Sequence, residues 1–127
     1  MPDDRYKTPR PESIAAVKSM LVGHSAVLDF KEIEPRLYEI SRRGRTDVNL
    51  YITNLYTVGV ADVQEILDDH PSVTCILTVS VWNSYTRQAK EYAKSNKVGL
   101  FLFYELKGAL NFDGSQLLDY IAPKDRE

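Results

Sequence analysis

The 127-residue sequence is poor in the residues that carry chemistry in most small enzymes. It has one cysteine, Cys75, so an intramolecular disulfide is excluded and a reducing cytoplasm is the expected location. Its two histidines, His24 and His70, stand far apart and belong to no cluster with metal-ligand spacing. It has no phosphate-binding loop, no nucleophile elbow and no dinucleotide-binding glycine motif. We therefore expect neither a cofactor nor a metal.

Long apolar runs and a strong net charge are also absent. No apolar run reaches the roughly 18 residues of a membrane-spanning helix, so no membrane contact is expected. The formal net charge of −2 argues against nucleic-acid binding by the surface as a whole, although a local basic patch remains compatible with it. A hydrophobic content of 43% and a charged content of 27% are typical of a soluble globular protein.

The patterning predicts one domain over residues 13–122. Residues 1–12 lack the basic-then-apolar layout of a signal peptide and are expected to form a flexible lead-in, while residues 123–127 form a short tail. Ser13 is the predicted N-cap of a first helix, which has its apolar residues on one face.

From Asp47 onward, strands and helices alternate along the chain. The segment "DVNLYITN" alternates apolar and polar residues, as a strand does. The segments "VADVQEILDDH" and "SYTRQAKEYAKS" have helical periodicity, and "VTCILTVSV" and "VGLFLFYEL" are almost continuously apolar, as strands buried on both faces are. This order predicts an α/β fold of three layers, in which a mainly parallel or mixed central sheet is flanked by helices.

Residues 25–45 have a less certain pattern. "SAVLDF" is a candidate strand. In the following segment Ile33, Leu37 and Ile40 have helical spacing, which favours a helix with Pro35 in its first turn. A hairpin is the alternative.

Residues 47–111 also contain a run of motifs that occur together in one group of nucleases. A strand is followed by "VGVADVQEI", and then come an apolar strand, a helix with the pattern T-x-x-A-x-x-Y-A and a further strand. This half of the chain resembles the restriction-endonuclease-like PD-(D/E)xK fold, most closely its Mrr-type branch. The resemblance implies that fold for the domain, and a setting in DNA processing or defence.

The resemblance does not extend to the catalytic motif. The family needs an Asp on one strand and Glu-x-Lys on the next, so that the acids hold a divalent metal. Here the Glu-x-Lys positions align with Tyr51 and Thr53, which replace neither a metal-binding carboxylate nor a lysine. Asp29 is the candidate for the first acid, and Asp47 lies in phase with Tyr51, although turn and strand-start roles are simpler for both. We expect a degenerate site and no metal-dependent nuclease activity by this chain alone.

Arginines form one candidate binding cluster outside that motif. Arg42, Arg43 and Arg45 in "SRRGR" have the side chains that grip phosphate oxygens in pairs. Alternatively, the cluster is a solvated helix end, where cations are favoured.

The loop "SVWNSY" is the second candidate, because it follows a buried strand at the edge where open α/β sheets bind ligands. Its Trp82 is the only tryptophan. An exposed Trp82 would stack on a base or anchor a protein partner, whereas a Trp82 folded inward would cover the core. The residues expected beside it at this edge are Asn54, Tyr56, Tyr85 and Arg87.

Two functions of different class fit these observations. The first is a catalytically degenerate nuclease-like domain that acts by binding nucleic acid or a partner nuclease. The second is a small cytoplasmic α/β module for protein interaction or regulation, which self-associates through a tyrosine-rich edge and has no nucleic-acid role. Whether the arginine cluster and Trp82 share one face discriminates between the two.

Overall fold

Five strands form one sheet, and two very short strands form a second sheet beside it. The computed structural model describes residues 8–121. The elements, in chain order, are α1 (Pro11–Val22), β1 (Val27–Glu34), β2 (Leu37–Arg42), β3 (Arg45–Thr53), β4 (Thr57–Val58), α2 (Val60–Asp69), β5 (Cys75–Thr78), β6 (Ser84–Tyr85), α3 (Arg87–Ser95), β7 (Gly99–Leu102), α4 (Phe103–Ala109) and α5 (Gly114–Leu118).

The main sheet is mixed. Its strand order is β1-β2-β3-β5-β7, and β4 pairs with β6 in the second sheet. The first three strands are an antiparallel meander, whereas β3, β5 and β7 run parallel and are joined by segments that contain α2 and α3. The predicted α/β class, with a mixed sheet flanked by helices, is confirmed.

Each face of the sheet has its own apolar cluster. Leu50 and Ile52 of β3 pack with Val17 and Leu21 of α1 and with residues of α4 and α5. Tyr51, between them in sequence, packs on the opposite side with residues of α2 and α3. Since successive side chains of a strand point to opposite faces, the alternation in "DVNLYITN" positions both layers of helices.

The helix favoured in the span 25–45 is wrong, and the hairpin alternative is correct. Leu37 and Ile40 are fully buried on β2, whereas Ile33 is 43% exposed on β1. The helical spacing therefore joins residues of two different strands. The strand break is at Pro35 and Arg36, where Arg36 has a φ of 70° and turns the chain back on itself.

Two predicted boundaries also differ from the structure. α1 begins at Pro11, inside the predicted lead-in, because proline at the first helical position needs no partner for a backbone N–H. The strand predicted over "VGLFLFYEL" ends at Leu102, because Glu105 accepts a hydrogen bond from the Leu102 N–H at 2.9 Å and starts α4. Residues 1–7 of the lead-in and the predicted tail lie outside the described residues.

No helix within residues 8–121 is long and apolar enough to cross a membrane.

Arg42 links the β2–β3 hairpin to the loop between α4 and α5. Its side chain is fully buried and donates hydrogen bonds to the carbonyl oxygens of Thr46, Leu110 and Phe112 at 2.7–2.9 Å. It also forms an ion pair with Asp113 at 3.0 Å. Hydrogen bonds from Thr46, and secondarily the charge of Arg42, hold the pKa of Asp113 below its ordinary value. The buried guanidinium thus ties this loop to the sheet with charge-assisted hydrogen bonds.

Replacing Arg42 with methionine is expected to lower the free energy of unfolding by about 3–5 kcal/mol, because the loop carbonyls and Asp113 lose their buried donor. Arg43→Met is the matched control. Arg43 is exposed and makes one long side-chain bond, at 3.4 Å to Ser25, so its loss is expected to cost less than about 0.5 kcal/mol. Denaturant unfolding of both variants measures the difference. Equal midpoints for the two variants would contradict the structural role of Arg42.

Candidate functional site

The carboxyl ends of the three parallel strands meet at one edge of the sheet. Thr53 of β3 pairs with Thr78 of β5, which pairs with Leu102 of β7. Because β2 is antiparallel to β3, this edge also receives the start of β2 and the turn at Arg36. It is the edge at which the sequence predicted a binding surface.

A network of polar side chains fixes the loop that follows β5. Asn83 is buried, and its amide nitrogen donates to Asn54 Oδ1 and to Thr78 Oγ1, both at 2.9 Å. The Ser80 hydroxyl donates to the same oxygen of Asn54, and the Thr78 hydroxyl donates to the carbonyl of Leu55 at 2.6 Å. The loops after β3 and β5 are therefore held to each other by side chains as well as by the β4–β6 pairing.

This network displays apolar side chains to solvent. Trp82 is 60% exposed, Val81 is 91% exposed, and Tyr56 on the neighbouring loop is 68% exposed. We call these three residues the aromatic edge. Of the two alternatives for Trp82, the structure shows the exposed one. An exposed tryptophan on a loop held by Asn83, with an exposed tyrosine on the neighbouring loop, has the composition of a binding hot spot rather than of a core lid.

A cleft of about 320 Å³ lies between the aromatic edge and the start of α1. Its lining includes Trp82, Val81 and Phe103 on one side and Arg10 and Glu12 on the other. An apolar wall with one charge of each sign at the rim suits a side chain from a partner protein.

Tyr85 and Arg87, both predicted for this edge, differ in accessibility. Arg87 is exposed at the start of α3. Tyr85 is half-buried, and its hydroxyl lies 2.9 Å from both carboxylate oxygens of Glu105. Tyr85 therefore supports α4 from within, whereas Arg87 is open to a partner.

Lys90 and Glu105 form a buried cluster with Tyr85 that the sequence interpretation missed. The Lys90 ammonium donates to the carbonyl of Leu100 at 2.7 Å and lies 4.2 Å from the centre of the Phe101 ring. Burial lowers the pKa of Lys90 to about 8, against the opposing attraction of Glu105. The helical periodicity does indicate that this lysine is buried, because Lys90 lies between Ala89 and Ala93 on the buried stripe of α3.

An arginine lies beside Tyr51 and Thr53, the two positions aligned with the nuclease motif. The Arg36 guanidinium lies 5.0 Å from the centre of the Tyr51 ring, and its Nε–H donates to the carbonyl of Ile52 at 3.1 Å. Its Nη2 is 3.4 Å from Thr53 Oγ1. The His70 ring lies 4.8 Å from the Tyr51 ring. A cavity of about 170 Å³, lined in part by Asp62 and Glu65 of α2, adjoins these residues.

The structure does not bring Asp29 or Asp47 to this cavity. Asp29 is exposed on β1, opposite Ser41, and β2 separates it from β3. Asp47 lies four residues before Tyr51 on β3, about 13 Å away along the strand. Within residues 8–121, no group of three or more His, Cys, Asp or Glu side chains is arranged to hold a metal ion.

The predicted arginine cluster is at the opposite end of the sheet, where the parallel strand β3 begins. Arg42, Arg43 and Arg45 flank the β2–β3 turn, where β3 begins, whereas the aromatic edge adjoins the end of β3. Arg42 is inaccessible, and Arg45 donates to the carbonyls of Asn111 and Arg43 at 2.8 and 2.7 Å. The cluster and Trp82 therefore do not share an edge.

No protein-family model, curated protein or solved structure matches the chain. The nuclease-like resemblance stays a prediction.

The Lys90 cluster predicts a pH dependence of stability. The folded protein releases the Lys90 proton near pH 8, whereas the unfolded chain keeps it until about pH 10.5. Between these values the unfolded chain binds more protons, so the contribution of Lys90 to the free energy of unfolding rises with pH. From about pH 7.5 to about pH 10, the wild type is expected to gain on the order of 2 kcal/mol relative to Lys90→Met.

Denaturant unfolding of both proteins across this range measures the effect. Burial raises the pKa of the Cys75 thiol to about 12, and the charge of Lys90 opposes that rise. The thiol therefore stays protonated in both folded proteins over this range, and its contribution cancels in the difference. Parallel stability curves for wild type and Lys90→Met would show that Lys90 does not titrate in this range.

Proposed function

We propose that this chain is a non-catalytic binding domain on a restriction-endonuclease-like scaffold, and that the aromatic edge anchors a protein partner. The single observation that carries the proposal is the exposure of Trp82 on a loop fixed by buried Asn83. A rigid aromatic anchor loses little conformational entropy on binding, so its buried area contributes fully to affinity.

The positions of the sequence motifs support the scaffold. The segment "VGVADVQEI" runs from the last residue of β4 through most of α2, with Gly59 as the residue before the helix. In the pattern T-x-x-A-x-x-Y-A, the threonine is Thr86, whose hydroxyl caps α3 by accepting from the Ala89 N–H at 3.0 Å. The motif run thus falls on a strand–helix–strand–helix–strand order, which is the order the resemblance requires.

The side chains near Tyr51 support a domain that acts without metal chemistry. A guanidinium at 5.0 Å from the Tyr51 ring puts positive charge where a metal-binding acid would be needed. Oxygen-rich coordination of Mg²⁺ requires converging carboxylates, and Asp29 and Asp47 are both remote. Of the two acids that line the cavity beside Tyr51, Asp62 and Glu65, the first accepts a hydrogen bond from the Gly59 N–H at 2.8 Å. If DNA processing or defence is the setting, a nuclease subunit is the partner class that this interpretation favours, and a reducing cytoplasm is the compatible location for a free thiol.

A protein partner fits the charges better than nucleic acid does. The arginines that were candidates for phosphate contact lie at the other edge, and Arg42 is committed to the fold. The net charge of −2 gives no general attraction to phosphates. The rim of the cleft carries Arg10 and Glu12, which is a mixed charge pattern typical of protein interfaces.

Affinity capture with the purified wild type and two variants tests the proposal. A specific partner is expected to be retained by the wild type and by Arg43→Ala, and to bind Trp82→Ala about 30-fold more weakly, which is the loss typical of a hot-spot residue. Asn83→Ala keeps the tryptophan but frees its loop. Its affinity for the partner is therefore expected to lie between those of the wild type and Trp82→Ala. A partner that binds wild type and Trp82→Ala equally would place the interface elsewhere.

Titration with duplex and single-stranded oligonucleotides tests the alternative that the chain binds nucleic acid. Trp82 is the only tryptophan, so its emission reports contact with a base directly. We expect unchanged emission and intact probes in Mg²⁺ or Mn²⁺. Quenching that weakens steeply with salt would favour nucleic acid as the ligand. Metal-dependent cutting that disappears in Asp47→Ala would overturn the non-catalytic assignment.

A further inference from the structure

Strand β1 leaves one edge of the sheet open. It is the first strand in the order β1-β2-β3-β5-β7, and no strand within residues 8–121 pairs with its outer side. Six of its eight residues are exposed. The opposite edge strand, β7, has four residues and is buried, so only β1 offers a long row of backbone donors and acceptors to another chain.

The middle of β1 is regular enough to pair. Irregularities against β2 occur between Val27 and Asp29 and between Glu32 and Glu34, and the segment between them is in continuous register. Bulges of this kind limit how far an added strand can extend. The free edge is therefore a short segment, Asp29-Phe30-Lys31-Glu32, with exposed Leu28 and Ile33 at its ends.

We propose that β1 pairs with β1 of a second copy of this chain, antiparallel and centred on Phe30. An antiparallel pair places residues i and j opposite each other with a constant sum of i and j. In an edge strand the backbone N–H and C=O groups point outward only at every second residue. Two facing residues must therefore be an even number of positions apart, so the sum of i and j is even. The two-fold axis of the dimer then passes midway between the two copies of one residue, which is the centre of the pairing. Each candidate centre therefore sets one pattern of opposed side chains.

Charge selects among these centres. A two-fold axis at Asp29, Lys31 or Glu32 places that residue directly opposite its own copy, so like charges meet, which destabilises a strand pair. An axis at Ile33 instead sets Glu32 opposite Glu34.

With the axis at Phe30, Asp29 of each chain lies opposite Lys31 of the other chain. The two copies of Phe30 lie opposite each other at the centre. Within the regular segment this is the register with opposite charges facing each other and no like charges opposed.

The existing contact of Lys31 is compatible with this pairing. Its ammonium lies 3.5 Å from Glu39 on β2, and the side chains are 70% and 38% exposed, respectively. In the paired state Lys31 would lie between Glu39 of its own chain and Asp29 of the second copy. Exposed ion pairs contribute little individually, so the charges fix the register while the backbone bonds and the apolar ends supply the attraction.

Sedimentation equilibrium over a concentration series tests the proposal. The wild type is expected to approach twice its 14.5 kDa mass as concentration rises. Asp29→Lys and Lys31→Asp are each expected to weaken the dimer about tenfold or more, because each opposes like charges at both positions. An equimolar mixture of these two variants is expected to dimerise again, since lysines at 29 and 31 of one chain then face aspartates at 31 and 29 of the other.

Controls separate this interface from the aromatic edge. Asp68→Lys changes the same charge at an exposed position on α2 and is expected to leave the dimer intact, as is Trp82→Ala. A wild type that stays monomeric at all concentrations overturns the proposal. So does a dimer that tolerates Asp29→Lys, or a variant mixture that stays monomeric. Loss of the dimer in Trp82→Ala alone would assign self-association to the aromatic edge instead.

Discussion

The buried guanidinium of Arg42 holds together parts of the chain that are 68 to 71 residues apart. It joins the antiparallel meander to the last two helices, which cover one face of the parallel strands. A buried cation is tolerated only when every donor is matched. The loop between α4 and α5 supplies two carbonyl oxygens and a carboxylate, and Thr46 of β3 supplies a third carbonyl oxygen. The position of α5, and hence the cover over β5 and β7, depends on that match.

The two ends of the sheet therefore differ in what their polar groups do. At the amino end, arginines bond to backbone carbonyls within the protein. At the carboxyl end, the amides of Asn54 and Asn83 bond to each other and to hydroxyls, so that the apolar side chains next to them remain in solvent. Exposed apolar side chains held by a satisfied buried network are a usual mark of a recognition surface.

Much of the fold followed from periodicity, and the site followed only in part. The alternation around Leu50 and the apolar run around Cys75 have one physical interpretation each, because burial on one or two faces dictates them. The span around Pro35 was ambiguous because two strands happened to share a helical spacing. The sequence placed Trp82 at the carboxyl end of the parallel strands, where the structure has it. The helical periodicity of α3 put Lys90 on the buried stripe. The partners of Arg42 and Lys90 lie farther along the chain, and no local pattern identifies them.

The turns of the meander bear on the order in which the molecule folds. Arg36 and Gly44 both adopt positive φ, and each closes a hairpin between strands adjacent in sequence. Closing such short loops costs little chain entropy, whereas the parallel pairings of β3, β5 and β7 must first close loops that contain whole helices. We therefore expect the meander to form early, and the parallel half to add to β3 afterwards.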